Sequence, residues 1–67
     1  MKRAADIAAL RDRLARLIAE PGPPGMRGIE QWRIAEQIAA NTGELPTAVL
    51  RQATSDAVKI LAREGRR

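Results

Sequence analysis

Residues 33–61 read RIAEQIAANTGELPTAVLRQATSDAVKIL, and this stretch decides the fold. Ile34, Ala35, Ile38 and Ala39 fall on one helical face with Trp32 adjoining, while Glu30, Arg33, Glu36 and Gln37 face outward. Asn41-Thr42-Gly43 ends that helix, because Gly43 is free to take a positive φ in the turn that follows. Leu45-Pro46 restarts the chain, with Pro46 at a first helical position where its missing N–H is not needed. A further helix then carries Val49, Leu50, Ala53, Ala57, Ile60 and Leu61 inward, and Gly65 closes it. Two helices joined by a short Gly-containing turn and packed on a preceding helix make the helix-turn-helix plan.

The preceding helix lies upstream. Ile7, Leu10, Leu14, Leu17 and Ile18 recur at three- and four-residue spacing, whereas Arg11, Asp12, Arg13 and Arg16 fall off that stripe. Asp6 meets the positive end of the helix dipole, and Asp12 and Arg16 are spaced to pair. Pro21-Gly22-Pro23-Pro24-Gly25 cannot continue a helix and reads as a stiff connection within one domain, since neither flank is large enough to be a domain. The expectation is one all-α domain over residues 1–67, with helices at about 4–19, 29–40 and 46–64.

Composition narrows the function. At 67 residues the chain buries only a thin core. It has no Cys and no His, so disulfides, thiolate or imidazole metal sites, Cys nucleophiles and His general bases are all missing. No catalytic residue, metal ligand, cofactor or small-molecule effector is expected, and the protein reads as a non-enzyme. Thirteen Ala and six Leu favour helix, and the scarcity of β-branched and aromatic residues argues against a sheet of any size. No apolar run is long enough to span a membrane, and Asp6, Arg11, Asp12 and Arg13 break up the N-terminal stretch, so neither a span nor a signal peptide is read and the expected location is cytoplasmic.

Twelve basic residues against eight acidic ones give a net charge of +4, and ten of the twelve are Arg. A GC-rich genome writes Ala and Arg freely, which is the plain explanation of that ratio. A strongly basic chain nonetheless has a polyanion as its default partner, and Arg offers a planar fork suited to phosphate and guanine edges. In the helix-turn-helix plan the helix after the turn enters the major groove with its N-terminal residues. Here that stretch presents Thr47, Ala48, Arg51, Gln52, Thr54 and Ser55, with no acidic residue after Leu45 until Asp56. Arg51, Gln52 and Thr47 are the expected base readers, with Thr54 and Ser55 suited to base or phosphate; Arg27, Arg33, Lys59, Arg66 and Arg67 are the expected phosphate contacts. The plain alternative is an ordinary solvated helix face. For Trp32 the favoured reading is an anchor of the aliphatic core rather than a ring that stacks on a base.

From Ile7 to Gly65 the chain also resembles the DNA-binding domain of GntR-type winged-helix transcription regulators. The residues that carry the resemblance are Ile7, Leu10-Arg11, Leu14 and Leu17-Ile18; then Pro24-Gly25-Met26-Arg27; then Arg33-Ile34-Ala35-Glu36-Gln37-Ile38; and last Ala57-Val58-Lys59-Ile60-Leu61-Ala62-Arg63-Glu64-Gly65. The resemblance implies a winged-helix-like domain whose third helix reads DNA in a transcriptional regulator or a phage or plasmid accessory factor. It departs in three places. Trp32 stands where the family usually has a phosphate-contacting Arg; about four extra residues lie in the Asn41 to Glu44 connection or within the third helix; and the wing expected after Gly65 is not in the sequence, nor is an effector domain. A single module of this size contacts little DNA, roughly 600–1,000 Å², so the expected partners are double-stranded DNA together with a second copy or a partner protein. The rival reading is a protein-interaction module, an antitoxin, anti-repressor or adaptor, that packs its Ala-rich helices on another protein.

Overall fold

The computed structural model describes residues 3–20 and 26–65, apart from the side chains of Met26 and Arg27. Three helices account for nearly all of them: α1 (Ala4–Ala19), α2 (Met26–Thr42) and α3 (Pro46–Glu64). The described residues contain no strand, so the architecture is all-α, and every pair of helices is in contact. The bounds of α1 and α3 agree with those read from the sequence. The connection expected over residues 21–25 lies outside the described residues.

The second helix is longer than the expected 29–40 at both ends. At its start it takes in Gly28, whose helical cost against Ala is only about 1 kcal/mol. At its end the two residues expected in the turn stay helical by bonding back to it. Asn41 Nδ2 donates to the Gln37 carbonyl at 2.8 Å and Thr42 Oγ1 to the Ile38 carbonyl at 2.9 Å. The turn itself is then residues 43–45 alone. Gly43 adopts φ +79° and its N–H reaches the Ala39 carbonyl at 2.9 Å, so the left-handed cap expected there is present. Pro46 follows as the first helical residue, preceded by an extended Leu45 that supplies no side-chain cap.

The largest fully buried side chains come one from each helix, Leu14, Ile38 and Val49, and these belong to one core cluster. Around them lie Ile7, Ile34, Ala35, Ala39 and Ala53, with Leu10, Leu17, Ile18 and Leu50 packed partly buried against the cluster. The expected stripes are therefore largely observed, with two corrections. Trp32 is 41% exposed and does not anchor the core. It lies only about 20° round α2 from the buried Ala39, so spacing does not put it outside the core; a core in which five of ten buried residues are Ala leaves little room for an indole. Leu61, expected inward, is 51% exposed, because it sits in the last turn of α3, one turn beyond Ala57, the last buried residue of that helix.

A charged contact fixes the turn to α1. The Arg11 guanidinium donates to the Glu44 carboxylate, joining residues 33 apart in sequence. That bond, helped by the Thr42 hydroxyl, holds the Glu44 carboxyl below the usual carboxylate range. The Glu44 N–H also lies 3.3 Å from Thr42 Oγ1, so the residue is tied at both backbone and side chain. Sequence reading passes over Glu44, since an acidic turn residue carries no signal of a partner so far away.

Candidate nucleic-acid interface

Helix α3 is tied into the molecule by Val49, Ala53 and Ala57, all buried. At 100° per residue, Thr47, Arg51, Ser55 and Val58 fall within about 80° of one another on the opposite side of the helix. All four are exposed. The face is therefore set by packing, because the residues that bury the helix determine which ones it presents. Pro46 starts the helix at the same end, so the free N–H groups of its first turn and the positive end of its dipole lie beside Thr47.

The candidate base readers do not stand together. Arg51 is exposed and has no ion pair among the described residues. Gln52 points about 100° away and donates from Nε2 to Asp56 Oδ1 at 3.1 Å. Gln52 and Asp56 line a narrow crevice with Arg11, Leu14 and Ile38, on the side of α3 that meets α1. Thr54 uses its hydroxyl on the Leu50 carbonyl at 2.8 Å, so its free capacity is as an acceptor. Ser55, one turn beyond Arg51, is exposed with no such bond.

The candidate phosphate contacts are spread more widely. Lys59 is exposed on α3 and, with Arg63, rims a shallow groove of about 370 Å³ against Ala8, Arg11, Asp12 and Arg16 of α1. Arg63, which sequence reading omits, is spaced i,i+4 from Lys59 and shares its face. Arg33 is exposed on the outward face of α2, apart from both. Arg27 lies in the first turn of α2, and its side chain is outside the described residues, as are Arg66 and Arg67 altogether.

Pairing divides the cations. On α1, Arg11 meets Glu44, Arg13 lies 3.6 Å from Glu30, and Arg16 lies 3.0 Å from Asp12 and 3.7 Å from Glu64. Arg33, Arg51, Lys59 and Arg63 have no such pair among the described residues. The described residues hold no group of three His, Cys, Asp or Glu that could bind a metal, and no helix long and apolar enough to cross a membrane. The three-residue connection between α2 and α3 has no room for an additional helical turn. Compared with known proteins, the chain matches no family model, no curated protein and no solved structure.

Proposed function

We propose that the chain is a sequence-specific binder of double-stranded DNA that inserts the N-terminal half of α3 into the major groove, and that it acts as a small cytoplasmic transcriptional regulator rather than an enzyme. One observation carries the reading: Arg51 stands exposed and without an ion pair on an acid-free face directly opposite the buried residues of α3. An extended guanidinium can grip guanine O6 and N7 with two parallel hydrogen bonds. Thr47 and Ser55 flank it at one turn on either side, within reach of a neighbouring base or the sugar-phosphate edge. Lys59 and Arg63 supply the salt-dependent part of the affinity. Gln52, engaged with Asp56, is left out of the base-reading set, and Arg33 is left out of the phosphate set because it stands on another face. Arg27, Arg66 and Arg67 enter as further phosphate contacts on sequence grounds, as does the likeness to GntR-type domains.

A second reading, a protein-interaction module, draws on the large apolar side chains left exposed at Ile29, Trp32, Leu45, Val58 and Leu61. Selecting bound duplexes from a random pool, then measuring polarisation on the selected and on an unrelated duplex at two salt concentrations, separates the two. Arg51→Ala is expected to cost about 1–3 kcal/mol on the selected duplex and far less on the unrelated one. Arg51→Lys recovers only part, since it keeps the charge and loses the fork. Equal losses on both duplexes would make Arg51 a phosphate contact, and absence of any duplex binding by the parent chain would favour the interaction module.

A further inference from the structure

The outward face of α2 carries a short seam that takes no part in the fold. Ile29, Arg33, Glu36 and Ala40 are all exposed and follow one another at spacings of four, three and four residues. This is the spacing of the two seam positions in a helix-pairing heptad, and it brings all four within about 60° on the helix. Trp32, 41% exposed, lies beside the seam. Arg33 and Glu36 have no ion pair among the described residues, although Glu30 on the same helix is occupied by Arg13 at 3.6 Å.

The charges on this face complement themselves when the helix is reversed. In an antiparallel pair related by a two-fold axis midway between residues 34 and 35, Ile29 faces Ala40 of the other copy and Arg33 faces its Glu36. The symmetry repeats both contacts, giving four layers with an apolar one at each end. Neither other helix offers this. The exposed face of α3 presents Arg51 with no acidic residue on the same face to receive it from a second copy, and the arginines of α1 are already closed by acidic partners. We infer that the outward face of α2 is a self-association surface, on which a second copy of this chain pairs antiparallel through Ile29, Arg33, Glu36 and Ala40. A seam over residues 29–40 is only about 17 Å long, short of the roughly 800 Å² per partner of a standard interface, so the pair forms on raising the concentration and is not obligate. The inference does not rest on the DNA reading, and its failure would leave the Arg51 test untouched.

Charge reversal with mixing tests it. Sedimentation velocity over a wide concentration series, with the emission of Trp32 followed in parallel, should show a monomer passing to a dimer as the indole loses water. Arg33→Glu sets carboxylate against carboxylate in both charged layers, and Glu36→Arg sets guanidinium against guanidinium in both. Each alone should therefore weaken association about tenfold or more. The doubly reversed chain should recover it. The two single variants mixed should form a heterodimer, because each charged layer then pairs opposite signs. Circular dichroism should report the same helix content in all four chains, the positions being exposed. A chain that stays monomeric at every concentration overturns the inference and leaves the face to a different protein. A dimer indifferent to reversal and to mixing overturns it as well, by locating the contact elsewhere.

Discussion

Helices α1 and α3 carry the same kind of charge and use it in different ways. Each has three cations in the described residues after its first turn: Arg11, Arg13 and Arg16 on α1, and Arg51, Lys59 and Arg63 on α3. Those of α1 reach out to Glu44 in the turn, Glu30 on α2 and Glu64 on α3, so they are occupied by acidic groups of the other elements. Those of α3 have no acidic partner among the described residues. Composition alone assigns all six to the same basic excess. The difference lies in neighbours, and it separates charge already paired within the fold from charge that remains available to a polyanion.

Removing the same amount of charge from each helix is the most forceful way to break this contrast. Replacing Arg51, Lys59 and Arg63 by Gln should lower the salt slope of duplex binding by about two to three units, close to one per contact, and leave the fold intact. The same replacement of Arg11, Arg13 and Arg16 should leave most of that slope in place and lower the melting temperature instead. Equal losses of binding from the two triple variants would mean that net charge governs, and the distinction between the helices would fall.

A smaller effect, confined to stability, is expected at the turn that leads into α3 and is held to α1 by the Arg11–Glu44 contact. Gly43→Ala forces a Cβ into the left-handed region at φ +79°, while the space around that Cβ is open. The cost is then purely conformational, about 1–2 kcal/mol in a denaturant titration. No loss would show that the turn relaxes, and with it the angle at which α3 is presented.

The smallest effect is a pH dependence of the α1 contacts. The carboxyl of Glu44 is held below its usual range by Arg11, so the folded chain binds a proton there less readily than the unfolded one. The stabilisation is therefore complete above the ordinary carboxylate range and is lost as pH falls through the lowered value. Glu44→Gln should flatten that part of the stability profile, and Arg11→Ala should flatten most of it, leaving the smaller part due to the Thr42 hydroxyl. An unchanged acid limb in either variant would remove this contact from the set that holds the fold.

How much of this could be read in advance varies with the range of the forces involved. The ends of α1 and α3 follow from local chemistry: a Pro-Gly run, a glycine cap and a proline at the first helical turn. The buried stripe follows from periodicity, and so does the exposure of Arg51 opposite it. What escaped was non-local or set by size. Trp32 is apolar, yet a core made half of alanine has no place for it. The partners of Arg11 and Arg13 depend on how elements cross, on which helical spacing is silent, whereas the bond of Gln52 to Asp56 joins residues four apart and is one that spacing allows. The extension of α2 to Thr42 depends on side chains bonding backward to carbonyls, where the same residue types more often terminate helices.

The alanines of the core have a further consequence, visible in a calorimeter. Ala15, Ala35, Ala39, Ala53 and Ala57 let the helix axes approach closely, yet each returns little apolar surface to water on unfolding. The heat-capacity change of unfolding follows that surface, so the stability curve should be flat across temperature and the melting endotherm low and wide. In a domain of this length a change of about 1 kcal/mol displaces the midpoint by about 4–8 °C. Modest substitutions should therefore be legible as large displacements of a broad peak, and the molecule should soften gradually over the temperatures at which larger proteins still hold a sharp transition in reserve.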